Sequence, residues 1–106
     1  MTKKEIREAD SAFALQIKAR DGKCIWCGTT KRLNCHHIIS RRNHKYRWDE
    51  RNAITLCFYH HLYVVHRDAL TTMHWILTKQ PWIYKQWKQM MKEIDVFLVR
   101  KKNETV

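Results

Sequence analysis

The sequence predicts a single small α+β domain in which a strand, a loop, a second strand and a short helix form the centre, with a helix before them and helices after. Three observations predict it. Apolar residues recur at helical spacing towards both ends of the chain. Two short runs, 33–39 and 53–56, have strand character. A pair of metal-ligating side chains with a two-residue gap precedes the first run, and another follows the second. A length of 106 residues suits one domain. With 44% hydrophobic and 29% charged residues, two glycines and one proline, the composition is that of a globular chain and excludes fibrous and low-complexity classes.

Taken in order, residues 1–22 form the N-terminal piece. Good helix formers with apolar positions at Ile6, Phe13, Leu15 and Ile17 predict a helix over 3–20, ended by Asp21-Gly22. Residues 23–67 form the core piece. Cys24-Ile25-Trp26-Cys27-Gly28 reads as a metal knuckle, and Leu33 to Ile39 reads as a strand after the Thr29-Thr30 turn. A polar loop from Ser40 to Arg51 leads to a second strand, Ala53 to Leu56. Phe58 to about Arg67 then fits a short helix with His61 on one side.

Residues 68–99 carry the C-terminal helices. Ala69, Leu70, Met73, Ile76 and Leu77 keep helical spacing behind Asp68 as N-cap, and Pro81 opens the next helix. Ile83, Trp87, Met90, Met91, Ile94, Phe97 and Leu98 continue the stripe, with Lys85, Lys88 and Lys92 elsewhere on the wheel. Trp82 and Trp87 follow the same spacing and are expected to pin these helices to the core, while 100–106 reads as a frayed tail.

The net charge of +11 is spread along the chain and draws polyanions by its field alone. Five of the positive residues, Arg41, Arg42, Lys45, Arg47 and Arg51, crowd the central loop against only Asp49 and Glu50, as expected for a grip on phosphates. Lipid binding would need no such loop around a Cys/His cluster, and no apolar run is long enough for a signal segment or a membrane span. A cytoplasmic location is therefore expected. In that reducing setting close cysteine pairs bind metal rather than form disulfides.

Cys24-x-x-Cys27 is followed thirty residues after Cys27 by Cys57-x-x-His60. Two knuckles of this spacing supply four ligands for a tetrahedral structural zinc ion. Cys35 alternates in phase with Leu33 and fits a small buried apolar role. A second cluster remains: His36-His37 at the end of the first strand, Asn52 before the second, and His61 on the helix. Successive strand residues point to opposite sides. One of the paired histidines can thus hold an ion while the other faces a substrate, the arrangement that a water-activating base beside a metal requires. His44, in the basic loop, and His74, on an amphipathic helix, read as ordinary surface residues.

Cys24-x-x-Cys27-Gly28, Cys35-His36-His37-Ile38-Ile39, Asn52 and Leu56-Cys57-x-x-His60-His61 together resemble the HNH endonuclease family in its zinc-knuckle form. The likeness covers residues 24–61. Arg47-Trp48-Asp49-x-x-Asn52 and the His60-His61 ending are similar to small phage-encoded members, which points to a bacterial or phage-infected cell.

What the resemblance implies is a ββα-metal, treble-clef-like fold. His36 and His61 would hold a catalytic divalent cation, which could be Mg²⁺, Mn²⁺, Ni²⁺ or Zn²⁺, with His37 as general base. Asn52 would tie the loop and keep that base oriented. Colicin-type relatives carry a third metal histidine four residues after the position of His61. Here that residue is Val65, and His66, one later, is the candidate third ligand. The implied activity is hydrolysis of DNA phosphodiester bonds, with mostly double-stranded DNA held through its phosphates and a second copy of the chain or a phage protein as further partners. The alternative is a non-catalytic, zinc-stabilised DNA-binding or adaptor domain.

Overall fold

A computed structural model describes the backbone of residues 1–104 and the side chains of residues 1–94. Helix α1, Lys3–Asp21, opens on a capping box. The Thr2 hydroxyl accepts from the Glu5 amide at 3.1 Å and the Glu5 carboxylate accepts from the Thr2 amide at 3.2 Å, so two of the helix's unpaired donors are satisfied. It closes at Gly22 with φ 70°, a left-handed conformation that lets the Gly22 amide donate back to Lys18.

Strands β1, Leu33–His37, and β2, Ala53–Cys57, pair antiparallel with Leu33 opposite Cys57 and His37 opposite Ala53. All five residues of β2 are buried, because both of its faces are covered. Ile54 and Leu56 join Cys24, Trp75, Ile76 and Ile83 on the side of helices α2, Ala69–Lys79, and α3, Pro81–Glu104. Ala53 packs with Phe13 and Ile17 of α1. The outer edge of β2 is satisfied without a third strand. The Thr55 amide donates to Asp21 at 2.9 Å, the Thr55 carbonyl accepts from the Ile25 amide at 3.1 Å, and the Ala53 carbonyl accepts from Arg20 at 2.8 Å. β1 is only half-buried along its length, and among the described residues no strand pairs with its far edge.

Four features differ from the sequence-based expectation. β1 stops at His37 rather than Ile39 because the Ile38 and Ile39 amides turn to the carbonyl and side chain of Asn52. The short helix after β2 is a π-helical turn over His60–Val65, not an α-helix. α3 continues through Glu104, where a frayed tail was expected from residue 100; residues 105 and 106, and the side chains of Phe97 and Leu98, lie outside the described set. The indole that pins the C-terminal helices is Trp75 of α2, stacked on Trp26 with ring centroids 4.0 Å apart. Trp87 lines a small apolar cavity instead, and Trp82 stays near the surface with its N–H on the Gln80 side chain. Among the described residues no helix is long and apolar enough to cross a membrane.

Candidate active site

The two knuckles meet. Cys24, Cys27, Cys57 and His60 bring one ligand atom each within 4.8 Å of one another, a four-ligand cluster that can hold a metal ion. His60 turns Nδ1 to the sulfurs, 3.2 Å from Cys57 and 4.0 Å from Cys24, while Cys27 and Cys57 lie 3.9 Å apart. The first knuckle is shaped by Gly28, whose φ of 82° lets its amide reach the Cys24 carbonyl at 2.8 Å. Trp26 lies flat against the His60 ring at 5.0 Å, fixing the imidazole from behind. Cys35 stands apart from this cluster. It is half-buried against the α1 face, and burial pushes its thiol up to about 11.

A second group forms at the end of β1. His36, His61 and His66 also offer three ring nitrogens within 4.8 Å of one another, with ring centroids separated by 4.6 to 5.3 Å. His66 belongs because the turn is π-helical. The His66 amide donates to the His61 carbonyl five residues back, at 3.2 Å, so the two side chains share a face that an α-helix would reserve for residues four apart. Asn34 presents its side-chain oxygen to His61 Nδ1 at 3.3 Å. That oxygen can only accept, so Nδ1 carries the proton and Nε2 keeps the free lone pair. Burial, aided by His61, His66 and His37, pushes His36 down to about 3. Burial also lowers His61, so both rings are neutral donors of electron pairs at neutral pH.

His37 leaves the other face of β1 and is held differently. Its Nε2 lies 2.8 Å from the carbonyl of Arg47. A carbonyl has no proton to give, so Nε2 carries it and Nδ1 is left as a base. Burial holds His37 below its ordinary value, which keeps that lone pair free. The segment that carries this carbonyl is held from two sides, at the Tyr46 carbonyl before it and at the Arg47 side chain. Asn52, with no exposed surface, accepts from the Ile39 amide at 2.6 Å and donates to the Ile39 and Tyr46 carbonyls at 2.9 Å, closing the loop beside Arg47. Asp10 of α1 takes the Arg47 guanidinium in a two-pronged pair at 2.8 and 2.6 Å and also accepts from the Trp48 indole at 3.0 Å. Those hydrogen bonds hold the Asp10 carboxyl at about 2.

His36, His37, His61 and His66 open on one cleft of about 610 Å³ along the far edge of β1, shared with Asp10 and Arg41. Arg41 also lines an adjoining basic pocket with Ser40, Arg42, His44 and Arg47. The five loop cations divide. Arg41, Arg42 and Lys45 are exposed, Arg41 with its guanidinium 4.0 Å from Asp10, whereas Arg47 is bound to Asp10 at 2.6 Å, and Arg51 is bound to Asp49 at 2.6 Å and to Glu93 of α3 at 3.0 Å. Glu93 also accepts from the Tyr46 hydroxyl at 2.8 Å, so α3 braces the loop.

Sequence reasoning missed Asn34 and Asp10. Strand alternation places Asn34 on the face of His36, a signal that was present. Asp10 gives no local sign, since its partners lie 37 and 38 residues away. Protein-family models, curated proteins and solved structures offer no match to this chain, so its chemistry is read from the geometry alone.

Proposed function

We propose that this chain is a metal-dependent endonuclease of the HNH type, hydrolysing DNA phosphodiester bonds, with zinc in the cysteine-rich cluster as a structural ion. The observation that carries the proposal is the pairing in one cleft of three converging imidazoles with a fourth, His37, whose Nε2 is tied to a carbonyl and whose Nδ1 is free. Zinc suits the thiol cluster. Zn–S bonds of about 2.3 Å and Zn–N bonds of about 2.0–2.1 Å in a tetrahedron place ligand atoms roughly 3.5–3.8 Å apart. The separations of 3.2, 3.9 and 4.0 Å bracket that range.

His36, His61 and His66 fit a divalent cation of the Mn²⁺, Ni²⁺ or Zn²⁺ kind by their nitrogen donors, and Mg²⁺ less well. Such a cation would supply neutralising charge for the phosphate and for the departing 3′ oxygen. His37 Nδ1 takes a proton from water, the water oxygen bonds to phosphorus, and the P–O3′ bond breaks, leaving a 5′ phosphate and a 3′ hydroxyl once the oxygen is protonated from solvent. Asn52 and Asp10 act indirectly, by holding the Tyr46 carbonyl and the Arg47 side chain on either side of the Arg47 carbonyl that fixes the tautomer of His37. Arg41, Arg42 and Lys45 are the exposed loop cations that meet flanking phosphates, which gives salt-sensitive binding with little sequence information; Arg47 and Arg51 serve the frame.

The test is conversion of supercoiled plasmid to nicked or linear DNA by zinc-loaded protein, with and without added Mg²⁺, Mn²⁺ or Ni²⁺, beside His37→Ala. Metal-stimulated cutting lost in the variant is the expected result. Plasmid retarded on a gel but never cut would instead make the chain a zinc-stabilised DNA-binding domain.

A further inference from the structure

The π-helical turn has a second side. His61, Leu62 and His66 face the cleft, while Tyr59 and Tyr63 point outward, 60% and 46% exposed, with ring centroids 5.9 Å apart and planes within 30°. Phe58 meets the edge of Tyr63 at 6.0 Å. Two guanidiniums lie on these rings, Arg32 at 4.7 Å from the centre of Phe58 and Arg67 at 4.7 Å from that of Tyr63. Neither apolar core includes Phe58, Tyr59 or Tyr63, so packing does not account for them. Arg32 is held in the left-handed region, φ 55°, where its carbonyl accepts from the Phe58 amide at 2.9 Å. A residue other than glycine rarely adopts that conformation. Here it accompanies a cation on an aromatic face. The neighbouring acid, Asp68, is committed to capping α2 through the Thr71 amide and hydroxyl at 2.9 and 2.7 Å.

We infer that Phe58, Tyr59 and Tyr63, with Arg32 and Arg67, form a stacking platform for unpaired bases of single-stranded DNA, reached by a strand that leaves the cleft across the π-helical turn. Two exposed tyrosine rings beside half-buried Phe58, with guanidiniums lying over the Phe58 and Tyr63 rings, match this ligand: bases stack on the tyrosines while the guanidiniums meet the backbone. Bases inside a duplex are already stacked on one another, so the platform separates unpaired from paired substrate. The inference rests on the proposed nuclease function only for what happens in the cleft; it adds that the preferred substrate has unpaired bases beside the cut.

The test measures binding apart from cleavage, by fluorescence anisotropy of labelled oligodeoxythymidine, its matched duplex, and a strand of equal length and charge carrying abasic sites, all without added divalent cation. Tyr59→Ala/Tyr63→Ala should weaken binding to the single strand about tenfold or more, with duplex affinity changed less than about twofold. The wild-type protein should bind the abasic strand more weakly than the normal one by a similar factor, a result that does not depend on any variant folding. Equal affinity for normal and abasic strands, no measurable single-strand binding, or an equal loss on duplex would each overturn the platform. So would displacement by poly-glutamate as effective as by DNA at equal charge, which would give the surface to an acidic protein chain. If plasmid is cut while these binding tests fail, only the platform falls. If single-strand binding behaves as expected while no plasmid is cut, the nuclease proposal falls alone.

Discussion

Asn52 is the residue on which the loop and the base both depend, and its removal can be sized from its contacts. The side chain has no exposed surface and makes three hydrogen bonds, accepting from the Ile39 amide and donating to the Ile39 and Tyr46 carbonyls. Asn52→Ala removes all three at about 1 kcal/mol each and strands an amide and two carbonyls, for a total of about 3–5 kcal/mol. A small domain has roughly 5–15 kcal/mol to lose, and at this size about 4–8 °C of melting temperature goes with each kcal/mol. The midpoint should fall by roughly 12–40 °C. Asn52→Asp, of the same shape, keeps the acceptor for Ile39 but turns a carboxylate oxygen toward two carbonyls, and it should be at least as damaging. The assay is a thermal melt with zinc content measured in parallel, followed by plasmid cleavage well below each variant's midpoint. Cleavage by the folded variant should drop by about a hundredfold or more, because the Tyr46 carbonyl loses its anchor and the next carbonyl, that of Arg47, no longer holds His37 in one tautomer. A midpoint within a few degrees of the parent would refute the claim that these bonds hold the loop. Parental cleavage by a destabilised but folded variant would cut the link from Asn52 to His37.

Other perturbations probe the rest of the arrangement. His37→Ala gives up one hydrogen bond and a ring contact with Phe13, so the midpoint should fall by several degrees with zinc content unchanged, while cleavage measured below the midpoint falls by about 10²–10⁴. Cys27→Ser opens the four-ligand cluster and should release zinc and lower the midpoint sharply; full zinc content by atomic absorption with an unchanged melt would exclude a structural ion there. His66→Ala should raise the Mn²⁺ concentration needed for half-maximal cleavage by about tenfold or more, with the ceiling rate approached at high metal, and an unchanged titration would remove His66 from the ligand set. Arg47 holds the Asp10 carboxyl at about 2, below an unfolded value near 3.9. A lowered value stabilises the fold above about pH 4 and loses that contribution as pH falls towards about 2; for a side chain 22% exposed, screening leaves about 1 kcal/mol. The midpoint gap between the parent and Asp10→Asn should therefore narrow on acidification below about pH 4, and a gap independent of pH would count against the pair.

Much of the frame could be read in advance because its signals are local. Capping residues, the Asp21-Gly22 stop and the x₂ spacing of the cysteines act over a few positions, and the structure places α1 and the four-ligand cluster accordingly. Helical spacing proved a weaker guide to which indole packs. Trp82 and Trp87 follow the stripe, yet Trp75 makes the stack on Trp26, because the choice depends on where the first knuckle lies in space. The loop cations illustrate the same limit. Five positive residues in a row of twelve look equivalent in sequence, but Asp10 and Glu93, distant along the chain, bind Arg47 and Arg51 closely and leave three exposed, of which Arg41 keeps a 4.0 Å contact with Asp10.

The site's geometry follows from two pairs of adjacent residues that must serve different ends. His36 and His37 diverge because a strand alternates, one toward His61 and His66 and the other toward the Arg47 carbonyl. His60 and His61 diverge at a turn, the first to the sulfurs and the second to Asn34 and His36. A regular α-helix from that point would bring Val65, not His66, beneath His61. Widening the turn by one residue returns His66 to the face of His61, sends Val65 to the apolar cluster of Ile54 and Trp75, and leaves Tyr59 and Tyr63 on the outside. A deletion of one residue within 62–64 would restore α-helical spacing between His61 and His66 yet rotate Val65 out of that cluster. The histidine triangle and the packing beneath it therefore require the same extra residue, which is why neither hydrophobic period nor ligand spacing, taken separately, reveals it.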